Sequence, residues 1–231
     1  MHRVQYHHTK DFRRMTMKRI VAVFVYTISI SLLTQASTPP RPADGKLTVE
    51  ERAKAVKALI DSQNEFLSYV EKLTDEQWNF RPAPFKWTVG ETAEHIALAE
   101  GLLFGAVERA IAAPINPDWE TKSANKEPIL DNILAARKGK ANAPEPIQPF
   151  KQKKMTRAEI MTLFKEGRAK SLKFAQETDV PLKAHTLDHP FPIFGTLNAY
   201  QWLLYIPAHN LRHDKQIAEI MSNPAFPKFA K

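Results

Sequence analysis

Tyr200-Gln201-Trp202-Leu203-Leu204-Tyr205-Ile206-Pro207-Ala208-His209-Asn210-Leu211-Arg212-His213-Asp214-Lys215-Gln216-Ile217-Ala218-Glu219-Ile220 is the stretch on which the reading of this chain turns. Its apolar residues recur at helical spacing, and His209 and His213 lie four apart, which on an α-helix puts them on one face. Trp202, Ile206 and Ile220 fall within about 60° of that face when each residue turns about 100°. The imidazoles therefore point where the apolar side chains point, inward. Two neutral imidazoles one turn apart can ligate one transition metal, so a further ligand has to be sought elsewhere in the chain. Pro207 removes a ladder bond inside the helix and predicts a kink.

Working back from this helix, the same punctuation recurs. Thr48 and Glu51 have the capping-box spacing and open a helix reaching about Leu73, with Ala53, Val56, Ile60, Leu67 and Val70 at helical spacing. Thr74 and Gln77 open a short helix that ends near Phe80, where Arg81-Pro82-Ala83-Pro84 breaks it. Thr88 and Glu91 start a second long helix running to about Ile111, with His95 in its second turn and Leu102 and Ala106 on its face. Thr156 and Glu159 start a third, to about Thr178, with Ile160, Leu163, Phe164, Ser171 and Phe174 inward. The last runs from about Thr196 to Ser222.

Two segments interrupt this pattern. Residues 112–155 carry Pro114, Pro117, Pro128, Pro144, Pro146 and Pro149, leaving room for one short helix at Ile129–Arg137. The segment reads as a lid over one end of the bundle or as a surface excursion. Pro181–Gly195 reads as a loop whose His185, Asp188 and His189 either stand near a site or are solvated. With no Asn-Gly hairpin signal and few alternating β-branched runs, no strand is predicted. The fold class is all-α: one four-helix bundle over residues 48–223, with a long Pro-rich insertion between the second and third long helices and a tail at 224–231.

Met17-Lys18-Arg19 precedes an apolar run, Ile20–Leu33, and a small residue, Ala36. That is the form of a signal peptide over residues 1–36, cleaved after Ala36, with residues 37–47 as a Pro-rich linker. The run falls short of the roughly 20 apolar residues that cross a bilayer. The expected location is periplasmic or secreted, with membrane contact only through an uncleaved leader. Six basic residues against Asp11 give this leader +5 of the total +8, so the basic balance lies there and does not point to nucleic acid. The sequence has no cysteine, which excludes disulfides, thiolate metal sites and a cysteine nucleophile. Trp78, Trp119, Phe226 and Phe229 either form an exposed apolar patch or cover the bundle ends. Lys151-Gln152-Lys153-Lys154 reads as a solvated loop.

In a bundle the inward faces carrying His95, His209 and His213 can meet. Three imidazoles and no sulfur leave a coordination position open, the arrangement of catalytic rather than structural sites. The donors suit a divalent transition metal: zinc, nickel or iron. Core histidines bonded to carbonyls without metal are the alternative. Glu91, one turn before His95, is placed to orient that ring or act as a catalytic general base, or simply to cap its helix.

Trp87-Thr88-Val89-Gly90-Glu91-Thr92-Ala93-Glu94-His95 resembles the W-[ST]-x-x-E-x-x-x-H segment of the DinB-like superfamily, which includes the YfiT-type metal-dependent hydrolases. His209-Asn210-Leu211-Arg212-His213 with Gln216-Ile217 is similar to its H-x-x-x-H followed by Q-[IL]. The resemblance covers residues 48 to 222 and implies that His95, His209 and His213 form a metal triad. Arg212, where the family often has another His, and Asp214-Lys215, in place of a basic-Gly pair, depart from it. The resemblance implies hydrolysis or transfer of a low-molecular-weight thiol. Export disfavours the latter, because an oxidising compartment depletes such thiols. The resulting expectation is a metal-dependent hydrolase with a small-molecule substrate. A non-enzymatic metal- or ligand-binding module and a thiol-dependent S-transferase are the alternatives, and a homodimer is left open.

Overall fold

Each long helix starts at a reciprocal cap, in which a short side chain accepts from the backbone three residues on and that residue's side chain accepts from the cap. In the computed structural model, which describes residues 44–130, 142–149 and 154–228, Thr48 and Glu51 start α1 (Val49–Val70) this way. Thr74 and Gln77 start α2 (Asp75–Trp78), and Thr88 and Glu91 start α3 (Val89–Ala112). After α4 (Trp119–Lys122) and α5 (Glu127–Ile129), Thr156 and Glu159 start α6 (Arg157–Glu177). Asn198 and Gln201 form a further box at α7 (Ala199–Met221), which the sequence reading passes over. Each such cap contributes about 1 kcal/mol.

The long helices α1, α3, α6 and α7 form a four-helix bundle, as expected. Both α6 and α7 pack against α1 and α3, so α3 and α7, the two helices that carry the histidines, are neighbours. Leu59, Phe104, Val107, Leu203 and Ile206 belong to one apolar cluster of the core. Phe66, Val70, Ile96, Phe164 and Ile217 belong to another, in which the Phe66 and Phe164 rings are 4.4 Å apart. Trp78 and Trp119 are buried, and Phe226 packs edge-on against Phe80. These residues therefore cover the bundle rather than form an exposed patch; Phe229 lies outside the described residues. Every residue from Ala199 to Ala208 is buried, and α7 passes through Pro207 as one helix.

Two details depart from the all-α reading. Thr186–Asp188 (β1) pairs antiparallel with Thr196–Asn198 (β2), Leu187 opposite Leu197. Three residues per strand are too few for a period-two pattern to register. The ribbon also takes the first residues assigned to the last helix, which begins at Ala199 instead of Thr196. Gly45, at the end of the expected linker, accepts from Lys183 N at 2.9 Å. Its φ of +76° and contact with Ala184 leave no room for a side chain.

The insertion is tied to the bundle. Gln201 Nε2 donates to Ser123 O at 2.7 Å, and Asn198 Nδ2 to Ser123 Oγ at 3.0 Å. A 3₁₀ turn at Glu145–Ile147 lies against α3. The leader at 1–36, most of the helix expected at Ile129–Arg137 and residues 151–153 lie outside the described residues. Among the described residues no helix is long and apolar enough to cross a membrane.

Candidate metal centre

The backbone before α3 fixes the first part of the centre. Arg81 donates from Nη1 and Nη2 to the two carboxylate oxygens of Glu91, at 2.9 and 2.6 Å, and bonds Lys86 O. Glu91 Oε2 also accepts from Thr88 N at 2.8 Å. This holds the turn at residues 81–88, where Phe85 has φ 63°, and lays Trp87 over His95 with ring centroids 4.9 Å apart. Gly90 lets the Trp78 indole close on the same turn: a Cβ there would lie 2.3 Å from Nε1. Glu91, expected to orient His95, to act as a catalytic general base or to cap its helix, does cap α3, and its carboxylate also pairs with Arg81.

His95 is buried, and its Nδ1 lies 2.8 Å from Ile147 O. A carbonyl only accepts, so Nδ1 carries the proton and Nε2 presents a lone pair. His213 Nδ1 is 3.0 Å from Gln216 Oε1, which fixes the same tautomer when the amide oxygen accepts. His95 Nε2 then stands 3.1 Å from His213 Nε2 and 3.3 Å from His209 Nε2. Three nitrogens bound at about 2.0–2.1 Å on a tetrahedron would be separated by about 3.3 Å. The three rings are the group of candidate metal ligands among the described residues.

Burial pushes the His95 imidazole down to about 4, against the Ile147 hydrogen bond, and Arg212 adds to the fall. His209 is held well below its ordinary value by burial first, then by His213, His95 and Arg212. Neutral imidazole is the form that can ligate a metal, and burial favours it in these two rings at neutral pH.

The loop residues separate. His185 Nδ1 donates to Ala113 O at 2.8 Å, and Asp188 accepts from Thr196 Oγ1 at 2.6 Å. His189 stacks on Trp202 and Tyr205, with centroids at 4.9 and 5.3 Å. Tyr205 in turn lies 6.3 Å from the His209 ring. His189 thus approaches the centre only through Tyr205, and none of the three joins the nitrogen group. Burial pushes the Tyr205 hydroxyl up and the His189 ring down to about 4.

Sequence reasoning missed the Ile147 carbonyl and the role of Gln216. Gln216 follows His213 by three residues, which on a helix puts the two side chains in reach; that signal was available. The carbonyl belongs to a backbone atom 52 residues beyond His95, and no residue type announces it.

The family model of the DinB superfamily matches residues 58–217. A solved structure from Bacillus subtilis, YfiT, described as a probable metal-dependent hydrolase with an unusual four-helix bundle topology, is similar at 15% identity. The match has a TM-score of 0.46 and covers 81% of this chain and 94% of that one. No curated protein matches the chain.

Proposed function

The chain belongs to the DinB superfamily, and on that footing we propose that it is an exported metal-dependent hydrolase of a small molecule, its divalent ion held by His95, His209 and His213. The observation that carries this reading is the approach of His95 Nε2 to His213 Nε2 at 3.1 Å while each ring's Nδ1 faces an oxygen acceptor, Ile147 O or Gln216 Oε1, so that both Nε2 atoms are acceptors when those oxygens take the ring protons. Two acceptors at that separation repel unless a cation or a proton lies between them, and burial opposes protonation of His95. When bound, a divalent ion supplies Lewis acidity at a position left open by its three ligands. The Ile147 carbonyl and Gln216 orient the rings, a role that outer partners commonly play for histidine ligands. The Trp87 ring lies beside His95 and His213, and the Tyr205 ring beside His209.

Hydrolysis is favoured over thiol transfer because the leader-like run at Ile20–Leu33 points to export. Mass measurement of the mature protein, expected to begin at Ser37, tests that part. Elemental analysis of tag-free protein tests the ligand set. Near-stoichiometric zinc, nickel or iron is expected in the parent and its loss in both His95→Ala and His213→Ala. Metal retained in either variant would remove that residue from the set. A screen of ester, amide and phosphoester substrates with metal-loaded protein separates a hydrolase from a binding module, which would turn over none.

A further inference from the structure

Behind the histidine face of α7, a charged network fully shielded from water joins all four long helices. Arg168 on α6 is completely buried. Its Nε and Nη2 donate to the two carboxylate oxygens of Glu100 on α3, at 3.1 and 2.6 Å. Nη1 donates to Leu59 O and Ser62 Oγ on α1, at 2.5 and 2.7 Å. Nη2 also donates to Asn210 Oδ1 on α7, at 2.9 Å. A guanidinium has five N–H donors, and here each has an acceptor. Asn210 Nδ2 then donates to both oxygens of Asp214, at 3.1 and 3.0 Å.

Two facts separate this network from generic core packing. Asn210 and Asp214 each follow a triad histidine by one residue, so the pairs 209/213 and 210/214 run parallel along α7. Glu100 lies on α3, the helix that carries His95. Arg168 therefore cross-links the two histidine-bearing helices while itself belonging to neither. Apolar contacts tolerate small rotations of a helix; directional bonds tolerate them far less, and here two run from Arg168 to α3 and one to Asn210 on α7. A rotation of about 20° moves a side-chain tip at about 6 Å radius by about 2 Å, as much as a metal–nitrogen bond length of about 2 Å.

We infer that Arg168, acting through Glu100 and Asn210, is a positioning residue that sets the rotation of α7 against α3 and so holds the three imidazole nitrogens within ligating distance of one another. The inference rests on the proposed metal-binding role and deepens it, and its first test is read on protein stripped of metal.

Two variants test it. Asn210→Ala cuts the link to α7 and leaves the ion pair. Arg168→Met with Glu100→Gln removes both charges together, so that neither is left buried and alone. Helicity by circular dichroism confirms that each is folded. The metal-free readout is the rate at which diethylpyrocarbonate modifies each histidine, resolved by peptide mass. The expected result is a rise of at least about tenfold at His95 and His209, with His185 and His189 within about twofold of parent, as a local turn of α7 requires. Unchanged triad rates in a folded variant would overturn the inference, and so would a uniform rise at all these histidines, which marks general loosening. The second readout is cobalt titration by visible absorption. Affinity is expected to fall about 10- to 100-fold in the variants, the range typical of residues that orient ligands. A parent that binds no cobalt would defeat the proposed function alone, because the modification rates still decide the positioning role.

Discussion

His95 Nε2 and His213 Nε2 stand 3.1 Å apart, and each ring directs its Nδ1 to an acceptor on the far side. On the proposed function, an ion held by both rings would relieve this repulsion, so that binding would be coupled to folding. Adding zinc, nickel or iron at 100 times its dissociation constant is expected to raise stability by about 2.7 kcal/mol. The check is the urea midpoint of chelated protein with and without metal. His95→Ala should show little response to the same addition.

Gln216 is the side chain whose Oε1 lies 3.0 Å from His213 Nδ1, where it can accept that ring's proton. Gln216→Leu keeps a similar volume on the helix but removes the acceptor. Metal affinity is expected to fall about 10- to 100-fold, with helicity unchanged. Competition with a chromophoric chelator measures it. Affinity equal to the parent's would show that His213 needs no partner to ligate.

Glu91 gives an opposite expectation. Its carboxylate caps α3 and pairs with Arg81. Glu91→Gln is expected to cost about 1–2 kcal/mol of stability, because Arg81 is half exposed and the pair is partly screened. Metal content should stay near that of the parent. Once a substrate is found, a loss of kcat of about a hundredfold or more in folded, metal-loaded Glu91→Gln would establish the general-base role.

Acid and alkali should destabilise the metal-free protein for different reasons. His95, His209 and His189 all have folded values below the ordinary 6.5. The unfolded chain then binds more protons, and their contribution, full above 6.5, is lost as pH falls through the folded values, which for His95 and His189 lie at about 4. Asp214 runs the other way: burial and the nearby Glu65 push its carboxyl up to about 8, against Arg168 and Asn210. Its contribution is full below 3.8 and is lost as pH rises to about 8. Each group changes the slope by about 1.4 kcal/mol per pH unit. Stability of the chelated protein should therefore rise from pH 4, peak near 6.5 and decline toward 8. Denaturant midpoints across this range measure it, and Asp214→Asn should flatten the decline.

Much of the fold was legible because helix starts are local. Thr48, Thr74, Thr88 and Thr156 each announce a helix through a residue three positions on, and the structure has a cap at each. The inward faces of His95, His209 and His213 followed from periodicity together with buried neighbours such as Ile206 and Ile220. What stayed hidden depends on distant backbone or on pairs that hydropathy penalises. Arg168 sits on α6 among residues read as an apolar stripe, and a lone arginine reads as solvent-facing until Glu100 and Asn210 are brought to it. The β1–β2 ribbon and the Ile147 carbonyl likewise need the chain to fold back before any signal exists.

The helix that is buried all round from Ala199 to Ala208 also brings two of the three imidazoles to His95 from 114 and 118 positions away in sequence. On the proposed function, the ligand set would be complete only once α7 has docked. The compartment in which that docking occurs would therefore decide which ion is captured, since imidazole donors by themselves discriminate poorly among zinc, nickel and iron.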